Sequence, residues 1–254
     1  MVVTLLFFVI GSAAAASQSH LWSAAPTFRP VSLLQRWGLA WTLLAQLSAF
    51  LLIWLLSVWL EWKRHGNWRE GTAETLTGWR QVASGPWPLA WGAACLALLN
   101  FATLAIAGRP WGVTSAFVLW GSKAAAAVGI DVHSWPYWAG PRSEALRSSV
   151  LLDVTSVMNF GILAGALLGA GLAGRFAPEW RLPRRSLLAA VLGGLLLGFG
   201  ARLAYGCNIG ALLAGIASSS LHGWVWFVAA LAGTVAGARL RPWFGLPVER
   251  NPAP

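Results

Sequence analysis

Long apolar runs separated by short hydrophilic gaps dominate this chain. A helix needs about 20 apolar residues to cross about 30 Å of hydrocarbon. Four runs meet that length: Leu33–Leu60, Trp87–Ala107, Val150–Ala173 and Trp224–Leu240. A fifth, Ser186–Ala204, is rich in Leu and Gly and about long enough. Each predicts a spanning helix, because a helix satisfies its own backbone in lipid. Two more apolar stretches, Trp111–Ile130 and Cys207–Ser220, are short or broken by Gly and small polar residues. They predict partial or re-entrant helices. Such backbone survives at membrane depth only when packed in protein or lining a cavity.

The run Met1–Ala16 ends in Ala13, Ala14, Ala15 and Ala16, which imitates a signal-peptide cleavage region. A signal peptide should open on a basic segment, and this run carries no Lys or Arg. It is read instead as the second part of a spanning helix whose beginning is absent.

Composition sharpens the class. The 254 residues are 57% hydrophobic and 10% charged, against about 25% charged in soluble domains. The expectation is an all-α integral membrane protein, a multi-spanning bundle with short broken or re-entrant helices. Basic residues outnumber acidic ones 18 to 8, yet no nucleic-acid partner follows. They sit in short gaps between apolar runs rather than on one exposed face. Their placement speaks to orientation. The gap Glu61–Gln81 holds Lys63, Arg64, Arg69 and Arg80. The gap Gly174–Arg185 holds Arg175, Arg181, Arg184 and Arg185, and the tail holds Arg239, Arg241 and Arg250. The alternate gaps hold only Arg29, Arg142 and Arg147. The richer set belongs in the cytoplasm, and the C-terminus with it. Trp59, Trp62, Trp135, Tyr137, Trp138, Trp180 and Trp243 fall near the expected interfaces, where amphipathic rings anchor a span.

The two short stretches resemble each other. Gly108–Phe117 reads Gly-Arg-Pro-Trp-Gly-Val-Thr-Ser-Ala-Phe, and Arg202–Ala211 reads Arg-Leu-Ala-Tyr-Gly-Cys-Asn-Ile-Gly-Ala. Each has an Arg, an aromatic-Gly step and small polar residues before an apolar short helix. Paired broken helices of this kind mark binding sites in repeated transporters.

Tyr205–Gly210 is the strongest candidate site. Gly206 and Gly210 let the backbone turn and approach a ligand. A half-helix beginning near Cys207 would aim free N–H groups at an anion. The Cys207 thiol and Asn208 amide add neutral donors, and Arg202 could draw an anion to the mouth. Neutral donors hold a transported anion without trapping it. A glycine kink with Cys207 as a small core residue is the structural alternative. Thr114 and Ser115 hold the matching place in the other stretch, where bonds back to helix carbonyls are the alternative. Asn159 lies within a span, suited to a pathway or to a helix contact. Asp153 reads as a helix cap, Lys123 as a snorkelling side chain and Arg109 as a helix end. His222 ends the Cys207 stretch, and Cys95, in Ala-Ala-Cys-Leu-Ala, reads as packing. Two separated cysteines make neither a metal motif nor a disulfide framework, and no cofactor is expected.

From Gly200 to Leu246 the run Gly-Ala-Arg-Leu-Ala-Tyr-Gly-Cys-Asn-Ile-Gly-Ala, then Gly-Ile-Ala-Ser-Ser-Ser-Leu-His-Gly-Trp and Arg-Leu-Arg-Pro-Trp-Phe-Gly-Leu, closely resembles the YeeE/YedE family of sulfur-compound transporters. Gly108–Phe117 and Asp-Val-Thr-Ser-Val-Met-Asn-Phe-Gly at Asp153 also resemble it. The likeness implies a bacterial inner-membrane protein with inverted pseudo-repeats. It implies passage of thiosulfate or a related sulfur anion along a narrow path with cysteines, and the family's second-repeat pathway cysteine carries over to Cys207. An earlier repeat with its own Gly-rich cysteine motif is usual in the family, and this sequence lacks one. Residues 1–254 therefore read as one membrane domain: 1–85 a divergent or truncated first-repeat remainder, 86–246 the family-like core, and 247–254 a cytoplasmic tail. Uptake of thiosulfate is the leading function, with the bilayer as surroundings and a cytoplasmic sulfur-carrier protein as a candidate partner. The competing classes are a non-transporting or truncated membrane subunit and a thiol-redox or sulfur-transfer enzyme using Cys207.

Overall fold

The computed structural model describes residues 1–24, 29–66, 87–177 and 182–246. Among these, helices predominate and no strand forms. Helix α1 spans Val2–Ser17, α2 Ser19–Ser23, α3 Leu33–His65, α4 Leu89–Ala107 and α5 Thr114–Ala127. Short 3₁₀ turns and α6, Ser143–Arg147, lead to α7, Val154–Leu172. After α8, Arg184–Leu203, come a π-helix over Asn208–Leu213, a single turn α9 at Ala214–Ala217, and α10, Leu221–Leu240. Five helical segments are long and apolar enough to cross a membrane: Leu33–Arg64, Leu89–Ala107, Val154–Leu172, Arg184–Ala217 and Leu221–Phe244. Their outer faces are apolar, with Trp41, Leu47, Ile106 and Leu196 all exposed. Such surfaces need lipid around them. The all-α, multi-spanning expectation holds.

Helix α1 packs against α8 and α5. Gly11, Ser12, Ala13, Ala15 and Ala16 are buried along it. This small-residue stripe lets α8 come unusually close. A Cβ on Gly194 would lie 2.5 Å from the Thr4 carbonyl oxygen, and one on Gly198 would collide with the Phe8 carbonyl. The Ser12 hydroxyl donates to the Gly198 carbonyl at 3.1 Å, sealing the contact with a buried hydrogen bond. On the other side, Gly121 of α5 meets Val9, and Phe8 packs edge-on against Phe117 with ring centres 5.1 Å apart. Small residues at helix contacts are the usual membrane solution, since lipid offers no hydrophobic drive between helices.

Helix α3 is broken near its start. Gly38 has φ 75° and ψ 173°, a conformation open to glycine. The Thr42 hydroxyl reaches across the break to the Leu33 carbonyl at 3.0 Å. Ser32 pairs with Ser220 in an isolated antiparallel bridge. Farther along, the Gln46 amide donates to the Ile216 carbonyl at 3.1 Å. The π-helix and α9 fold back onto α10, with Gly215 and Gly223 close enough that a Cβ on either would touch the other's backbone. The stretch Cys207–Ser220 thus folds as short helical turns packed on α10. The other short stretch is the 14-residue α5.

Two sequence readings are corrected here. Trp138 was expected at an interface, but only 5% of its surface is exposed. Its indole N–H donates to the Ser122 hydroxyl at 2.9 Å, and it packs in a core with Ala16, Val118 and Leu119. Lys123 does not snorkel. Its ammonium donates to the Leu146 and Ser148 carbonyls, each at 2.7 Å, and pins the 3₁₀ segment onto α5. Trp59, Trp62 and Trp243 are exposed. Arg69, Arg80, Trp180, Arg181, Arg250 and the 247–254 tail lie outside the described residues.

Candidate functional site

The start of α5 is held by polar groups from two neighbouring helices. Gly108 ends α4 with φ 66°. The Asn100 side-chain oxygen then accepts from the Trp111 N–H at 3.2 Å. Asn159, only 2% exposed, donates its amide to the Val113 carbonyl at 2.9 Å. The Ser115 hydroxyl donates to Thr155 Oγ1 at 3.1 Å rather than to a carbonyl of its own helix. Asp153 caps α7 as expected, accepting from the Ser156 N–H at 2.8 Å, and Arg109 lies 3.6 Å from its other oxygen. The Ser156 hydroxyl accepts in turn from the Trp120 indole at 2.9 Å. One polar face of α7 thereby fixes the turn before α5. Nothing caps Thr114 with a side chain, so the first N–H groups of α5 stay open.

The second turn follows α8. Tyr205 adopts φ 56° and Gly206 φ 153°. The Gly206 position is closed to larger residues, because a Cβ there would lie 2.8 Å from the Ala211 nitrogen. The Gly206 N–H donates to the Ala201 carbonyl at 3.0 Å, and His222 Nε2 lies 3.0 Å from the Ala204 carbonyl. Its contact ties the turn to α10. The Cys207 carbonyl accepts from the Ala211 N–H at 2.8 Å, where the π-helix begins without a side-chain cap.

Both turns meet at one cavity of about 470 Å³. Gly112, Thr114 and Ser115 form one wall, and Arg202, Gly206 and Gly210 another. Five of the sequence candidates are thus brought together. Three are not in the wall. Cys207 is half-buried between the lining residues Gly206 and Gly210. Asn208 is exposed at the π-helix start. Asn159 lies behind the wall, where it holds Val113. The sequence reading missed Ser19, Tyr137 and Arg142, which also line the cavity. Arg142 had been counted as an orientation charge and Tyr137 as an interface anchor. Arg202 Nη1 donates to the Tyr137 hydroxyl at 2.9 Å, and the Arg142 guanidinium stands 4.9 Å above the Tyr137 ring. Among the described residues, no carboxylate lines the space. A cavity with two guanidinium groups and open helix N–H groups favours an anion.

Comparison with known proteins agrees with this chemistry. The probable transporter YedE of Escherichia coli K12 is 34% identical over 146 residues, 57% of this chain and 36% of that protein. The thiosulfate transporter TsuA of Spirochaeta thermophila is 42% identical over 67 residues, 25% of this chain and 20% of that one. The matched part therefore spans about a third of YedE or less than that of TsuA. No solved structure matches the chain. A family model described as sulphur transport, however, matches residues 1–236, which takes in both cavity turns and α1. On that match, this protein belongs to the sulphur transport family.

Proposed function

We propose that this protein takes up thiosulfate, or a closely related small sulfur anion, across the bacterial inner membrane. The anion passes through the cavity between the two turns, with the Cys207 thiol beside the path and the C-terminus in the cytoplasm. The observation that carries this reading is the convergence of two glycine-broken turns, Gly112–Ser115 and Tyr205–Gly210, on one arginine-bearing cavity. Family membership and the thiosulfate specificity in TsuA's name support it. The chain acts as a transporter rather than an enzyme, and a cytoplasmic sulfur-carrier protein is a fitting acceptor for its cargo.

The reading is tested by uptake of radiolabelled thiosulfate into vesicles containing the full chain. Saturable uptake is expected. Cys207→Ala removes a soft donor where water has been stripped from the anion. A lost hydrogen bond of about 1–3 kcal/mol predicts roughly tenfold to hundredfold slower uptake. Cys207→Ser keeps a donor and retains partial activity. Cys95→Ala, on α4, is the control and stays near wild type. Equal losses at Cys95 and Cys207 would make the thiol a packing group. A second reading is a non-transporting membrane subunit of the same family. Uptake only on co-expression with a further membrane protein would select it.

A further inference from the structure

Inside the cavity the polar groups are unevenly satisfied. Arg202 donates one guanidinium N–H to Tyr137, while its Nε is buried without a partner. The Ser19 hydroxyl, in the same lining, is also buried without a partner. Because Tyr137 accepts from Arg202, its own O–H proton is free to be donated elsewhere. Arg142 packs on the Tyr137 ring, and no carboxylate is among the described residues of the lining. Arg109 and Asp153, which pair with each other, are not among the lining residues. Buried donors left unmade are costly. Two guanidinium groups held to one phenol are a standing demand for negative charge.

We propose that Arg202, Tyr137 and Arg142, with Ser19, form a capture site for a tetrahedral, doubly charged sulfur oxyanion, gripping it by its oxygens. Guanidinium and phenol are hard, directional donors suited to sulfur-bound oxygens. A thiol is a soft one. Thiosulfate carries three oxygens at one end and a bare sulfur at the other. Held by its oxygens here, it turns its sulfur toward the Gly206–Gly210 turn that carries Cys207. This orientation rests on the transport reading above; the capture site itself does not. Sulfate has the same oxygen face without the soft end. It therefore occupies the capture site yet is not handed onward. Discrimination between the two anions falls to the later step, not to capture.

The test is a titration of the purified full chain in detergent with sodium thiosulfate and with sodium sulfate. Binding is followed by calorimetry and by tryptophan emission, since Trp22 lines the cavity. Both anions are expected to bind with affinities within about tenfold of each other, weakening as chloride salt is raised. Arg202→Gln and Arg142→Gln each weaken both anions by about tenfold or more, the loss of one charge-assisted bond. Tyr137→Phe keeps the ring and removes the hydroxyl, and it weakens both by several fold. Arg147→Gln removes an exposed charge outside the lining and leaves both affinities near wild type. Wild-type affinity in Arg202→Gln, Arg142→Gln and Tyr137→Phe overturns the site, as does an absence of binding by either anion. Arginine-dependent binding without vesicle uptake leaves the capture site standing and removes the transport reading. Uptake with arginine-independent binding does the reverse.

Discussion

At the scale of single residues, Asn159 shows how a buried polar group serves the site from behind. Its amide is the donor to the Val113 carbonyl, at the last residue before α5. Asn159→Leu strips that carbonyl of its side-chain donor and leaves it only the first bond of the helix. The expected destabilisation is about 1–3 kcal/mol, read as a lower thermal midpoint in detergent, with uptake falling alongside. Thr155→Val removes a bond to the exposed Ser115 and should cost less. Gly206, Gly210, Arg202, Thr114 and Ser115 were legible in the sequence because glycine breaks inside apolar runs are conspicuous. Tyr137 and Arg142 were not. An Arg or Tyr in a loop between spans has a sufficient explanation as an anchor, and only tertiary folding brings it over the cavity. Asn159 was recognised as important, but its role in holding a backbone carbonyl needed coordinates.

At the scale of elements, the five long spans were legible from length and apolarity, since lipid permits few alternatives. The rest obeyed subtler signals. The run Met1–Ala16 reads from the sequence as the second part of a spanning helix, and its small residues gave no sign that α1 packs closely against α8 and α5. Its alanines and glycine, which imitated a cleavage site, are the contact surface. The 3₁₀ turns between α5 and α7 have no hydrophobic period to betray them, and neither does a π-helix. The α1–α8 contact gives a direct test. Gly198→Leu forces a side chain into the Phe8 carbonyl and breaks the Ser12 bond. Overpacking of this kind costs about 1–3 kcal/mol or more. Gly193→Ala, on the same helix with no atom within 4 Å of the added carbon, should be neutral or stabilising by up to about 1 kcal/mol. Thermal unfolding of the two variants side by side checks the pair. Equal midpoints would mean that α1 and α8 are not closely packed.

At the scale of the whole molecule, orientation follows from charge. Lys63 and Arg64 lie at the end of α3, Arg184 and Arg185 begin α8, Arg239 is in the last turn of α10 and Arg241 follows it. These ends share one side if the arginine asymmetry sets the topology. A reporter active only in the periplasm, fused after Pro254, is expected to be silent, and strong activity would invert the arrangement. The seam between α1 and α8 also has a consequence for how the protein is made. Ser12 and Gly198 are 186 residues apart. At about 5–20 residues per second, the ribosome delivers the partner of α1 roughly 10–40 s after α1 itself. The Ser32–Ser220 pairing waits longer still. During that interval the face of α1 that carries Ser12 is without its partner on α8. The closest join in the finished bundle is among the last to form, and a ribosome stalled before Gly194 strands α1 without it.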